Sequence, residues 1–155
     1  MLLLACGKDE SEQPLLLQAM VAFPPKDTIR FELPAATRHC SDGRSLLLEA
    51  VDPEGSGVLL RLRYRDSVIP DSFPIVVPGD TAAVPGATVA IRYFIRDTPH
   101  GYVLDSGSVH VRRTGNKIDA RAEGAGLENA IRIPARIEYH DVPFATDTVP
   151  CSYQP

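Results

Sequence analysis

Val58-Leu59-Leu60-Arg61-Leu62-Arg63-Tyr64-Arg65 decides the fold class. Every second residue (Val58, Leu60, Leu62, Tyr64) is apolar, and the intervening positions end in three arginines. A period of two marks a strand with one face on a core and the other in water. Helical spacing would bring Arg61 and Arg65 together but scatter the leucines, leaving no apolar stripe to bury. The same alternation recurs in Val89-Ala90-Ile91-Arg92-Tyr93-Phe94-Ile95-Arg96 and in Ile131-Arg132-Ile133-Pro134-Ala135-Arg136-Ile137-Glu138-Tyr139. Residues 58–67 and 89–98 share Val, Arg, Arg and Asp at four of ten positions, which two strands of like pattern share without duplication.

The punctuation between these runs agrees. Asp52-Pro53-Glu54-Gly55-Ser56-Gly57 is a turn between an apolar run at 46–51 and the strand at 58. Gly115-Asn116 reads as a tight hairpin of the primed kind. Gly124-Ala125-Gly126 reads as the next turn, so the last third forms a three-stranded meander. Residues 28–33 and 72–77 are further candidate strands, and prolines at 70, 74, 78 and 85 cut the middle into short or edge pieces. Residues 15–23, ended by Pro24-Pro25, fit either a short helix or a first strand. The expectation is an all-β chain, an antiparallel β-sandwich or small β-barrel of about seven to nine short strands.

Composition limits the function classes. A chain of 155 residues makes about one domain, and 44% hydrophobic content suffices for a core. With 23% charged residues and a net charge of −4, the chain is not a charge-driven disordered one and lacks the basic excess of a nucleic-acid binder. No apolar run approaches the ~18 residues of a spanning helix.

The chain opens Met1-Leu2-Leu3-Leu4-Ala5-Cys6-Gly7, followed by the polar, acidic stretch Lys8-Asp9-Glu10-Ser11-Glu12-Gln13-Pro14. Leu3-Leu4-Ala5-Cys6 resembles the lipobox of bacterial lipoproteins, in which a signal peptidase cuts before a cysteine that is then acylated. The small Ala5 suits the protease subsite, Cys6 supplies the thiol, and the polar stretch suits a solvated tether. No basic region precedes the leucines, and the apolar stretch is shorter than the usual ~7–15 residues, as for a late start codon or a trimmed leader. The implied organisation is a signal-peptide remnant at 1–5, a lipidated cysteine and tether at 6–26 and a single β domain at 27–155.

Three cysteines in an exported chain need an explanation. With Cys6 assigned to the lipid, Cys40 and Cys151 remain as a disulfide pair fastening the two ends of the folded region; two free thiols are the alternative. Here the chain looks like a class of uncharacterised, β-sandwich-like bacterial envelope lipoproteins. The shared pattern is the lipobox, the tether, a cysteine near the first core strands, the hairpin Ser106-Gly107-Ser108-Val109-His110-Val111 and a closing cysteine. The resemblance implies a membrane partner through a palmitate-type anchor. Because Gly7 stands where aspartate signals inner-membrane retention in Gram-negative lipoproteins, it implies the outer membrane. It implies no catalytic residue.

The sharpest enzyme-like string is Asp105-Ser106-Gly107, which resembles the Asp-Ser/Thr-Gly signature of aspartic proteases. One copy would need a homodimer to supply the second carboxylate, its flanks Tyr102 and Val109 fit poorly, and an Asp-Ser-Gly turn is the plainer reading. His39, His100, His110 and His140 lack metal-ligand spacing and read as surface residues, and no cofactor fingerprint occurs. Arg61, Arg63 and Arg65, with Arg92 and Arg96 on a strand of like pattern, form a candidate anion-binding stripe. A solvated sheet face whose arginines pair with acids on neighbouring strands is the plainer reading, and thirteen Arg against three Lys overall fits a GC-rich genome. The sequence therefore points to a non-catalytic, membrane-anchored envelope lipoprotein with a structural or accessory binding role and an envelope glycan or protein as possible partner. A β module binding an anionic glycan, peptide or small apolar molecule is the alternative, and a hydrolase is third.

Overall fold

The computed structural model describes residues 14–150 apart from 24–26, 42 and 81. Among them there is no helix. Eleven strands follow one another: β1 Leu17–Phe23, β2 Asp27–Leu33, β3 Ala36–Cys40, β4 Ser45–Val51, β5 Gly57–Arg63, β6 Ser72–Pro74, β7 Gly86–Ile95, β8 Thr98–Thr114, β9 Lys117–Glu128, β10 Ile131–Pro143 and β11 Thr148–Val149. They join in one curled sheet, a half-barrel, in the order β11-β3-β4-β5-β7-β8-β9-β10-β1-β2, with β6 on the side of β8. Neighbours are antiparallel except β11, which runs parallel to β3.

The curl originates in β8. Its first half pairs with β7, from Ala90↔Val103 to Ile95↔Thr98. Its second half pairs with β9, and the register shifts between Leu104 and Ser106. Asp105 is the extra residue. Tyr102 and Leu104 point inward before it, Val109 and Val111 after it, so one inserted residue moves the buried face from even to odd positions. Just beyond, Gly107 faces Gly124 across the ladder. A Cβ at Gly107 would meet the Glu123 carbonyl oxygen, and one at Gly124 the Ser106 carbonyl oxygen. Two facing glycines let the backbones approach where the sheet bends.

Where β8 leaves β7, its vacated edge is taken by β6, anchored by the fully buried Phe73 opposite Val109. The sheet thus folds back on itself, and its two halves share one core. Tyr139 of β10 crosses that core and donates its hydroxyl to the carbonyls of Leu48 and Val58, at 3.3 and 3.1 Å. Inward rows Leu46, Leu48 and Ala50, then Val58, Leu60, Leu62 and Tyr64, then Val89, Ile91 and Tyr93, supply much of the rest.

Several expectations are corrected. The described residues hold eleven strands rather than seven to nine, and β8, β9 and β10 are long, at 17, 12 and 13 residues. Gly124-Ala125-Gly126 is strand, not turn, because glycine serves close approach there. The turn falls at Asn129-Ala130, both at positive φ (50° and 65°). Asp105-Ser106-Gly107 likewise lies within β8 at the bulge. Residues 17–23, open between helix and strand in the sequence, are a strand inserted between β10 and β2.

The glycine argument is testable by urea unfolding. Gly124→Ala should cost about 3 kcal/mol, the upper end of what overpacking costs. Gly115→Ala, at a hairpin tip with φ +61 and open space around it, should cost only about 1 kcal/mol of backbone strain.

Candidate functional site

The arginine stripe does not form one patch. Arg61 and Arg63 do project outward from β5. Arg61 Nη2 reaches Ser45 Oγ at 3.3 Å, and Arg63 Nη2 donates to the Asp80 carbonyl at 2.7 Å. Burial, and then the neighbouring Arg61 charge, lower the Arg63 pKa, and its Nε is buried without a hydrogen-bond partner among the described residues. Arg65 lies past the end of β5, exposed. Arg96 occupies the β7–β8 turn at φ +56 and not the strand. Arg92 is outward on β7 but opposite Gly57, four residue pairs from Arg61, or about 13 Å along the ladder. Its guanidinium lies 5.5 Å from the Phe94 ring centroid and makes no ion pair among the described residues.

Asp105 is held by a different chemistry from the one its motif suggests. Arg132 Nη1 and Nη2 donate to its two oxygens at 3.2 and 2.7 Å, and Nη2 also contacts Ser106 Oγ. The Arg132 hydrogen bonds hold the Asp105 carboxyl below the usual range. A carboxylate clamped on both oxygens by one guanidinium is a structural ion pair, not half of a proton-sharing dyad.

The histidines divide. His110 is exposed, and exposed His140 lies 3.4 Å from Glu138 on the outer face. His39 packs edge-on against Phe144, centroids 4.8 Å apart. His100 is the exception to the surface expectation. It stacks on Tyr93 at 5.2 Å, and its Nδ1 lies 2.9 Å from Glu128 Oε1. Glu128, 11% exposed, also accepts from the Tyr93 hydroxyl and from the Gly101 N–H at 3.3 Å. Burial, and then Glu128, push the Tyr93 and Tyr102 phenols far up, so both remain neutral; the Tyr93 hydroxyl donates to Glu128, whereas the buried Tyr102 hydroxyl finds no hydrogen-bond partner among the described residues. This Tyr93–His100–Glu128 group closes the β7–β8 turn against the end of β9. The sequence signal was parity: positions 100, 102 and 104 share one face. It is a hydrogen-bonded tie: the Glu128 carboxylate holds three partners and Tyr93 is buried, while the His100 ring keeps 25% of its surface exposed.

Beside it runs a shallow open groove on the outer face. Leu59, Ala90 and Val103 form its apolar floor, and Arg92 stands between Gly57 and Gly101. Further along the sheet, β8, β9 and β10 carry a lattice of opposite charges. Arg112 meets Asp119 at 2.9 Å, Arg136 meets Glu138 at 2.7 Å, and Arg121 bridges Glu123 and Glu138. The Arg136 hydrogen bond lowers the Glu138 pKa, Arg121 lowers that of Glu123, and the Asp141 N–H lowers that of Asp119.

Cys40 is 1% exposed at the end of β3, in register with Val149 of β11. Ser41 N–H donates to the Val149 carbonyl at 2.9 Å, so the closing segment runs alongside Cys40. Cys6 and Cys151 lie outside the described residues.

No family model matches the chain, and neither a curated protein nor a solved structure matches it.

The Asp105–Arg132 clamp has a pH signature. A carboxyl whose folded pKa is lowered contributes stability above its unfolded value, ~3.9, and loses it as pH falls through the folded pKa. In Arg132→Gln, the Asp105 carboxyl titration followed by NMR should return towards ~3.9. The stability gap between wild type and variant, present at neutral pH, should shrink as pH drops through the folded pKa.

Proposed function

We propose that the chain is a non-catalytic β module of the bacterial envelope, tethered through Cys6 and serving a structural or accessory binding role. The observation that carries this reading is the way its chemistry-bearing groups are used. Asp105 is clamped by Arg132, and Glu128 is tied by Tyr93, His100 and the Gly101 amide. Each is spent on joining strands. The two halves of the sheet, facing across Tyr139, act in this reading as a sandwich-like body on a lipid tether. The polar stretch before β1 suits that tether, and Gly7 suits the outer membrane.

One observation favours a second reading, a module for an anionic ligand with an apolar face. Arg92 has no ion pair among the described residues and stands over the apolar floor of the groove.

Anchoring is checked by fractionation. Cys6→Ser in the precursor should move the protein from the membrane to the soluble fraction, since stable attachment needs the acyl chains. Unchanged membrane partition overturns the reading.

The Cys40–Cys151 disulfide belongs to the same proposal, supported by the passage of β11 beside Cys40. Replacing both cysteines by alanine should lower stability by roughly 2–5 kcal/mol without changing the fold. Mass spectrometry of envelope-purified protein should find neither thiol free.

A further inference from the structure

We infer that β2 is a dimerisation edge, at which a second copy of this chain adds its own β2 antiparallel with Arg30 opposite the second copy's Glu32. Among the described residues β2 ends the strand order, and its hydrogen-bonded neighbour is β1. The Leu33 carbonyl accepts from Leu16 N–H at 3.0 Å and so faces β1. Alternation then turns the amides and carbonyls of Thr28, Arg30 and Glu32 outward to the open edge. Two of the devices that blunt an edge, a bulge and an internal proline, are absent from β2, and its exposed charges leave pairing open to a partner of matching charge. The pairing with β1 runs from Leu17↔Leu33 to Phe23↔Asp27 without a register shift, and no proline interrupts the strand. Pro24-Pro25 and Pro34 flank it instead, confining any added strand to these residues.

The side chains select the partner and the register. Arg30 and Glu32 are exposed on the outer face, and neither makes an ion pair or side-chain hydrogen bond among the described residues. Their backbones both face the open edge, so a second β2 pairs outward-facing residues with outward-facing residues. Three central registers satisfy this: Arg30 opposite Arg30, Glu32 opposite Glu32, or Arg30 opposite Glu32. Only the last places unlike charges together, and the two-fold axis makes that pair twice. It also sets Phe31 against its own copy on the inner face and Ile29 against Leu33, both half-buried at the margin of the core. An edge that is its own complement closes on a dimer and does not propagate into a fibre.

Sedimentation velocity of the 155-residue chain over a concentration series tests this. Wild type should associate reversibly to a dimer. Arg30→Glu and Glu32→Arg, each of which opposes like charges twice, should each weaken it by about tenfold or more. The double swap, Arg30→Glu with Glu32→Arg, should restore it to within a few-fold. Arg30→Pro removes an amide that faces solvent in the monomer, so it should leave the circular dichroism unchanged and abolish the dimer. A monomer at every concentration, species growing beyond the dimer, or a dimer indifferent to both the charge reversals and the proline overturns the inference.

Discussion

Everything in this sheet depends on β8 serving two neighbours in turn. Its backbone can satisfy only one partner on each side at each residue, and it changes allegiance at Asp105, from β7 to β9 and β6. Without the inserted residue the inward row would continue on even positions. Val109 and Val111 would then face water, and the two halves of the sheet would not close on a common core. The facing glycines make the bend sterically possible. Arg132, reaching across from β10, fixes the bulged carboxylate in place.

The polar groups follow the same logic of joining. Thr37 is buried in β3, donating to the Pro143 carbonyl and accepting from the Ala145 N–H, both at 2.7 Å. It ties one half of the sheet to the segment leaving the other. Glu128 does so at the β7–β8 turn, and Tyr139 does so through the middle. Each group satisfies a buried donor or acceptor that would otherwise cost about 1–3 kcal/mol. Asp105 and Glu128 in the described residues thus join strands.

How much was legible varied with how far each residue's fate was decided locally. β4, β5, β7 and β10 follow from alternation because one face is buried and the other wet. β3 was missed because its inward row contains Thr37, whose burial is explained only by partners more than a hundred residues away. The β9–β10 turn was misplaced because Asn129-Ala130 takes a conformation that usually asks for glycine, while nearby glycines were needed for close packing. The stripe was half right. Alternation put Arg61 and Arg63 on one face, but the antiparallel register that carries Arg92 to the far end of the ladder is not written in either strand. The Tyr93–His100–Glu128 tie required three strands to be brought together, which no local pattern announces.

The position of β1 sets the timing of assembly. β1, the most N-terminal strand among the described residues, lies between β2 and β10, and Leu17 meets Tyr139 more than a hundred residues further on. Until β10 has been made, β1 and β2 form an isolated hairpin, which is marginal in water, and Tyr139 is not yet there to span the core. Sheet closure therefore waits for β10 and is slow by its reliance on sequence-distant pairing. A chain still lacking β10 holds β1 and β2 outside the core that they later close.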